Sequence, residues 1–216
     1  KSELSQLDEL MVRAKNNNVP LNSITEEEAK AIEPRVKTFE RALFSPTTSS
    51  VNPVEVVQAM RNDAIQEGLK MQSDVRYLKR TGKGTVKTSQ GNIEFGYMVN
   101  AAGLYADKIA QDFGFSRDYR ILPFKGLYLY SNETVGAFQT NIYPVPDLRN
   151  PFLGVHFTVT AEGKVKIGPT AIPAFWRENY KGLTNFNFNE LMEIIFRQAG
   201  LFWSSDFDFK NLAFEE

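Results

Sequence analysis

The sequence predicts a mixed α+β fold, in which helices flank a mostly antiparallel sheet, and three observations lead to it. Segments in the first half carry apolar residues every three or four positions, as amphipathic helices do. Beyond Gly114 the composition becomes aromatic, and apolar and polar residues alternate in stretches such as "RILPFKGLYLYS", which is typical of strands. The turn "AEGK" joins two such stretches in a hairpin, and hairpin strands are antiparallel.

The first predicted helix runs from Ser2 to about Asn16 and is stopped before Pro20. Thr25 and Glu28 then form a capping box that opens a second, short helix, and Pro34 ends that helix by disfavouring helical geometry in the residue before it. The apolar stripe of the first helix consists of Leu4, Leu7, Leu10, Met11 and Ala14.

A short strand and a third helix come next. "RALFSPTTSS" reads as a strand that breaks into a polar turn, after which Asn52 caps a helix with Pro53 at its first position. Gly68 lies where a C-terminal cap belongs. We expect this helix to bury one face, made of Val54, Val57, Met60, Ala64 and Ile65.

Three strand-like segments follow, at Met71 to Arg80, Thr85 to Thr88 and Ile93 to Asn100. The sequence Gly82-Lys83-Gly84 lies between the first two. No third glycine and no helix follow it, so it predicts a hairpin turn rather than a nucleotide-binding loop.

"VNAAGLYADKIAQDFG" combines a strand end, small residues around Gly103 and a helix. Two interpretations remain open at this point. Such a turn lets a backbone approach a nucleotide closely, and it also serves as a plain strand-to-helix connection. The two aspartates of the helix, Asp107 and Asp112, are five residues apart and point to different faces, so they form no carboxylate pair.

In the second half, the "AEGK" turn pairs Val155 to Thr160 with Lys164 to Gly168. A last amphipathic helix spans roughly Asn189 to Ala199. Its expected buried positions are Leu191, Ile194, Ile195 and Phe196.

Composition excludes several classes of function. Lysine and arginine number 25 against 26 acidic residues, so the net charge of −1 supplies no field for binding nucleic acid. The absence of cysteine and the presence of one histidine argue against disulfides, thiol nucleophiles and the usual transition-metal sites. No apolar stretch approaches the ~20 residues of a membrane span. We expect a cytoplasmic protein, with peripheral attachment to the inner face of a membrane left open.

His156 is the single histidine, and no G-x-S-x-G elbow accompanies it, so a hydrolase triad is not expected. Strand alternation puts His156, Thr158 and Gly154 on one face, and Leu153, Val155 and Phe157 on the other. If the second face packs on helices, the imidazole faces a cavity. The alternative is a solvent-facing strand histidine.

Four blocks carry a resemblance: "VNAAGLYADKIA", "RILPFKGLYL", "NIYPVPDLRNPFLGVHFT" and "KIGPTAIPAFWRENY". In this order they resemble the L-2-hydroxyglutarate dehydrogenase (oxidase) family of flavoproteins, within the FAD-dependent D-amino-acid-oxidase-like superfamily. The resemblance covers nearly the whole chain but only the middle of the family's protein. It implies that residues 1–50 and 117–216 belong to a substrate domain and 51–116 to an incomplete portion of an FAD-binding domain.

The resemblance also implies site residues. Val75 matches a strand position whose main chain meets the adenine, and Ala101, Ala102 and Gly103 match the turn beside the dinucleotide. Lys125 stands where relatives often carry arginine near the flavin. Because a dicarboxylate needs cationic or hydroxyl partners, Lys125, Tyr143 and Thr158 are candidates to bind the substrate, with Arg120 and Arg177 as further cations. The alternative for each arginine is a surface ion pair that contributes little. His156 is the candidate catalytic residue, and no metal is expected.

The implied activity is oxidation of L-2-hydroxyglutarate, a small dicarboxylate, to 2-oxoglutarate with hydride transfer to the flavin. A neutral imidazole, whose free pKa is near ~6.5, suits removal of the hydroxyl proton. The chain begins with Lys1, so we expect a piece of a longer protein that is inactive and binds FAD poorly by itself. Alternatives are an amino-acid or glycerol-3-phosphate oxidising relative and a non-catalytic interaction module. The electron acceptor is left open.

Overall fold

The computed structural model of the chain describes residues 3–146 and 154–203. These residues form both helices and antiparallel strands, which confirms the predicted mixed fold. The chain divides into two compact units. The first contains Lys1–Met60 and Gly126–Ala171, and the second contains Arg61–Lys125 and Ile172–Glu215.

The first unit begins with helix α1 (Leu4–Asn16), strand β1 (Asn22–Thr25), helix α2 (Glu26–Ile32) and strand β2 (Arg41–Phe44). β1 and β2 pair antiparallel along their whole length. The sequence did not predict β1, because its last residue, Thr25, is also the first residue of the capping box.

The predicted local features of α1 and α2 are present. The apolar stripe of α1 is turned inward, with Leu7 buried at its centre. At the start of α2 the Thr25 hydroxyl accepts from the Glu28 N–H at 3.2 Å, and the Glu28 carboxylate accepts from the Thr25 N–H at 2.7 Å. The capping box is therefore confirmed, and α2 ends one residue before Glu33, as Pro34 requires.

A three-stranded sheet is formed by β6 (Phe124–Tyr130), β8 (Val165–Pro173) and β7 (His156–Val159), in that spatial order. β7 and β8 are antiparallel and joined by the "AEGK" turn, with His156 opposite Gly168. The predicted hairpin is thus confirmed, and it places the histidine at the first position of β7.

Close packing of β6 on β8 depends on two glycines. A Cβ added to Gly126 would lie 2.7 Å from the Cβ of Pro169, and one added to Gly168 would lie 2.5 Å from the carbonyl oxygen of Leu127. Both distances are too short for any side chain to be accepted without movement of the backbone or of the proline ring.

Helix α3 (Pro53–Gln66) begins as predicted, because the Asn52 side chain accepts from the Val54 N–H at 3.0 Å. The cap glycine, Gly68, has φ +97°. The expected buried face is wrong, since Val54, Val57, Met60 and Ile65 are exposed and Ala64 alone of the five is half-buried. Amphipathic spacing needs a partner surface, and no element within the described residues covers this side of α3.

The second unit contains an antiparallel meander of β3 (Tyr77–Arg80), β4 (Thr85–Thr88) and β5 (Gly91–Glu94). β4 has the predicted bounds, whereas β3 and β5 are shorter than the predicted segments. β3 and β5 both pair with the four residues of β4. The N–H groups of Thr81 and Gly82 both donate to the Thr85 carbonyl, which confirms a hairpin turn there.

A 3-10 turn (Gly103–Tyr105) leads into helix α4 (Ala106–Asp112), and helix α5 (Phe188–Trp203) ends the described chain. α5 is longer than predicted. Ile194 is buried as expected, whereas Ile195 and Phe196 are exposed.

The contact between β6 and β8 leads to a stability prediction. Gly126→Ala should lower the free energy of unfolding by about 1–3 kcal/mol, because the methyl group would collide with the rigid Pro169 ring. Urea unfolding of the purified protein measures the change.

Gly200→Ala is the matched control. Gly200 lies within α5, and nothing is found within 4 Å of the position of its Cβ. This variant should be neutral or more stable by about 0.5–1 kcal/mol, the usual gain for alanine in a helix. Equal effects of the two substitutions would contradict the packing argument.

Candidate functional site

The environment of His156 is set by two neighbours in the first unit. Its ring lies against the ring of Tyr143, with centroids 4.8 Å apart and planes inclined by 31°. Its Nδ1 lies 2.9 Å from the carbonyl oxygen of Gly154. A carbonyl can only accept, so Nδ1 carries the proton and the lone pair of a neutral ring is on Nε2. The side chain is half-buried, which is intermediate between the two predicted positions.

Tyr143 reaches His156 because the segment before it runs alongside β7. The main chains of Ile142 and Phe157 exchange two hydrogen bonds, of 3.0 and 2.9 Å. The Asn141 side chain accepts from the Val159 N–H at 2.7 Å. This pairing brings together two blocks of sequence that spacing alone could not connect.

Strand alternation around His156 is visible in the contacts of its neighbour. Phe157 stacks on Phe138, with centroids 5.3 Å apart, while His156 contacts Tyr143. Thr158 is half-buried and has the same parity as His156 along the strand. Leu153, expected on the face of Phe157, lies outside the described residues.

The remaining predicted substrate contacts have different locations. Tyr143 is exposed over about half of its surface (54%). Lys125 is half-buried at the second position of β6 and belongs to the second unit, whereas Tyr143, His156 and Thr158 belong to the first. The guanidinium of Arg120 donates to the main-chain carbonyls of Arg117 and Tyr119.

The turn predicted to lie beside a dinucleotide is open. Gly103 has φ +52°, and no atom lies within 4 Å of the position of its Cβ. Ala101 is exposed, and Ala102 is half-buried. Asn100, which the sequence analysis did not identify, braces the turn by accepting from the Ala102 N–H and donating to the Ala106 carbonyl. An exposed turn of small residues fits the approach of a ligand to the main chain.

Val75, the other predicted cofactor contact, is half-buried just before β3. The neighbouring Arg76 is tied to Ser89 through both its N–H and its carbonyl. Within the described residues, no hydrogen bond uses the main chain of Val75 itself, so these groups are available to a ligand.

Arg177, a candidate substrate cation, has a different role. Its guanidinium forms two hydrogen bonds of 2.8 Å with the two carboxylate oxygens of Asp107, and both side chains are at most 5% exposed. Arg177 also donates to the carbonyl of Leu104, inside the 3-10 turn. The expectation that Arg177 binds substrate is therefore wrong, because a buried partner occupies its charge.

Asp107 is held by more than this ion pair. Burial alone would raise the pKa of its carboxyl group, but the hydrogen bonds from Arg177 and from the Ile121 N–H outweigh burial and hold the pKa below its usual value. The carboxylate thus fixes the start of α4 to two segments that lie far from it in sequence.

The second aspartate of α4 has a similar task at the other end of the helix. Asp112 accepts from the hydroxyl of Tyr77 and from the Arg80 N–H, so it joins α4 to β3. These hydrogen bonds lower the pKa of Asp112, and burial together with the carboxylate raises the pKa of Tyr77. The two aspartates serve separate contacts, as their spacing predicts.

A cavity of about 630 Å³ lies in the first unit, between α1, α2, β1, β2 and residues 140–146. Its wall is mostly apolar and includes Tyr143 and the buried Glu33, but not His156. None of the helices within residues 3–146 and 154–203 combines the length and apolarity that crossing a membrane requires. These residues also contain no group of three or more acidic or histidine side chains placed to hold a metal ion.

Comparison with known proteins gives consistent results. A family model described as FAD dependent oxidoreductase matches residues 1–201. The mitochondrial L-2-hydroxyglutarate dehydrogenase of Mus musculus is 34% identical over 214 residues, which are 91% of this chain and 46% of that protein. The L-2-hydroxyglutarate dehydrogenase of Indibacter alkaliphilus is 35% identical over 90% of this chain and 50% of its own.

Solved structures show the same fold. Glycine oxidase from Bacillus cereus aligns with a TM-score of 0.65 at 18% identity, over 91% of this chain and 51% of its own. L-Proline dehydrogenase from P. horikoshii aligns with a TM-score of 0.60 at 21% identity, over 91% and 53%. The chain spans about half the length of the curated relatives it matches.

The buried ion pair leads to a second stability prediction. Arg177→Met should lower the free energy of unfolding by about 3–5 kcal/mol, because it leaves the Asp107 charge buried without its partner. Arg13→Met, which removes an exposed pair with Glu9, should cost no more than about 0.5 kcal/mol. Urea unfolding at neutral pH measures both.

The stability of the wild type and that of Arg177→Met should depend differently on pH. The lowered pKa of Asp107 means that its contribution to stability is complete above the pKa of the unfolded chain and is lost as the pH falls through the folded value. In Arg177→Met the Asp107 carboxyl loses the partner that helps to hold its pKa down, so protonation at low pH costs less in the variant than in the wild type. The stability gap should shrink from about pH 5 downward. A gap that stays constant down to pH 3 would contradict the assignment.

Proposed function

Because the chain belongs to the family of FAD-dependent oxidoreductases, we propose that the protein of which it is part oxidises L-2-hydroxyglutarate to 2-oxoglutarate. The observation that carries this proposal is the environment of His156, whose Nε2 is left with a free lone pair beside an aromatic wall. The substrate is taken from relatives at 34–35% identity that are named for this activity.

In the proposed reaction His156 acts as the base. Its Nε2 accepts the hydroxyl proton of the substrate while the carbon–oxygen double bond forms, and the Gly154 carbonyl keeps the proton on Nδ1 so that the ring presents the correct atom. FAD, held at the main chain of Val75 and at the turn of Ala101, Ala102 and Gly103, would supply a two-electron acceptor for the hydride of the α-carbon. The substrate thereby becomes 2-oxoglutarate, and its hydroxyl proton is held on the imidazolium of His156.

Hydroxyl groups beside His156 are proposed to hold the substrate. Thr158 follows two residues along the same strand face, roughly 6.5 Å away at ~3.3 Å per residue. The ring of Tyr143 contacts the imidazole, and this ring carries the second hydroxyl group. Lys125 is proposed as a cation for a carboxylate, on the resemblance of the "PFKG" block alone.

The cofactor contacts are proposed to be main-chain contacts. Val75 and the turn formed by Ala101, Ala102 and Gly103 all belong to the second compact unit, which supports a shared role. We keep the division into substrate domain (1–50 and 117–216) and FAD-binding portion (51–116) as a proposal. The open conformation of Gly103 and the unbonded main chain of Val75 support the cofactor-binding role of residues 51–116.

The role of His156 is tested in the full-length protein. His156→Ala should reduce turnover of L-2-hydroxyglutarate by roughly 10²–10⁴-fold, because the base is lost, while the visible absorption of bound oxidised flavin persists. Lys164→Met, in the turn of the same hairpin, is the control and should keep turnover. Unchanged turnover in His156→Ala would leave the histidine without a catalytic role.

The contact with Tyr143 is tested by removing its hydroxyl alone. Tyr143→Phe keeps the ring against His156 and should raise KM for L-2-hydroxyglutarate about 10-fold, the usual effect of losing a hydrogen bond to a charged group. Tyr130→Phe, an exposed tyrosine of the same unit, should leave KM unchanged.

The same assays separate the alternative functions. Turnover of amino acids or glycerol 3-phosphate in place of 2-hydroxy acids would favour another branch of the family. A full-length protein without visible flavin absorption would favour an interaction module.

A further inference from the structure

Glu33 is a buried acid for which the proposed reaction has no use. It lies directly after α2 and is 2% exposed. Within the described residues, no lysine or arginine forms an ion pair with it. A buried carboxylate is costly unless it is well hydrogen-bonded, so its partners indicate why it is there.

Three main-chain N–H groups are those partners. One carboxylate oxygen accepts from the Arg35 N–H at 3.2 Å, which closes a local turn. The other accepts from the N–H of Gln139 at 2.6 Å and from that of Thr140 at 3.4 Å. Gln139 and Thr140 are more than a hundred residues away in sequence, so Glu33 joins the end of α2 to a distant segment.

That segment leads directly to His156. After Thr140, the main chain of Ile142 pairs with β7 at Phe157, and the next residue, Tyr143, lies against the imidazole. Only two residues therefore separate Thr140, the last residue whose N–H Glu33 binds, from Tyr143, whose ring lies beside His156.

The packing at the far end of the segment leaves little freedom. A Cβ added to Gly154 would lie 2.9 Å from Cγ of Pro144, so the segment rests on the residue whose carbonyl orients His156. A shift of the segment would move Tyr143 and Pro144 together, and with them both contacts that define the position of the ring.

We propose that Glu33 is a positioning residue, which holds residues 139–144 in the place where Tyr143 and Gly154 orient His156. This inference rests on the proposed function for its catalytic consequence. Both oxygens of Glu33 are used by the main chain, so its position on the wall of the cavity does not make it a ligand for a bound molecule.

Glutamine is the informative substitution. Glu33→Gln keeps the size of the side chain but replaces one accepting oxygen with an NH₂ donor, which would face an N–H group on one side or the other. An amide oxygen also accepts more weakly than a carboxylate oxygen, so the connection to Gln139 and Thr140 is weakened whichever way the amide is turned, and it is lost where the NH₂ group faces these two N–H groups. In the full-length, flavin-loaded protein kcat/KM should fall about 10-fold.

A double-mutant cycle with Tyr143→Ala distinguishes positioning from general damage. If Glu33 acts through Tyr143, the second change removes a contact that is already lost. The kcat/KM of the double variant should then be about equal to that of the less active single variant. Glu28→Gln is the control on the same helix. It weakens the capping box, because a neutral amide oxygen replaces the charged acceptor of the Thr25 N–H, so it should lower Tm slightly, but it should leave kcat/KM within 2-fold.

A second readout does not depend on activity. The Tyr143 ring lies close enough to shift the NMR signals of the imidazole C–H groups, which are assigned by their loss in His156→Asn. Tyr143→Ala and Glu33→Gln should each move these signals, the double variant should move them no further than Tyr143→Ala, and Glu28→Gln should not move them.

The outcomes separate the two proposals. Multiplicative losses in the cycle, or imidazole signals unmoved in Glu33→Gln, would overturn the role of Glu33. If the wild type does not oxidise 2-hydroxy acids but the signals behave as expected, the proposed function fails and the positioning contact stands. Should Glu33→Gln not fold, Glu33→Asp retracts the carboxylate by one methylene and serves in the same cycle.

Discussion

A carboxylate removed from water must be hydrogen-bonded, and this chain uses that requirement to join distant segments. Asp107 binds Arg177 and the Ile121 N–H, and Glu33 binds the N–H groups of Gln139 and Thr140. In each case one acid fixes main chain that no regular ladder would hold. The elements of each compact unit are short. These side chains therefore make connections between segments that pairing of longer strands makes in other folds.

The candidate site is likewise built on a short element. β7 has four residues, yet it has β8 on one edge and the segment around Ile142 on the other. Pairing on both edges brings an aromatic ring and a main-chain carbonyl to a single imidazole. The catalytic proposal therefore depends on backbone register more than on any cluster of charged groups.

Sequence signals were reliable where the interaction is local. The Thr25–Glu28 box, the Asn52 cap and the "AEGK" hairpin each involve residues a few positions apart, and all three are present. Periodicity predicted that α3 is a helix but not whether a partner covers its apolar side. The roles of Arg177 and Glu33 depend on contacts across 70 to 107 residues, which no spacing rule encodes. The family resemblance supplied His156 as a candidate, but not the carbonyl that selects its tautomer.

The uncovered side of α3 has a consequence for handling the isolated chain. Val54, Val57 and Met60 are each at least 60% exposed and lie in one row, so water is ordered over a continuous hydrocarbon strip. Self-association releases that water. Sulfate should therefore promote precipitation of the chain, and chilling should weaken the attraction, because the entropy gained by freeing water counts for less at low temperature.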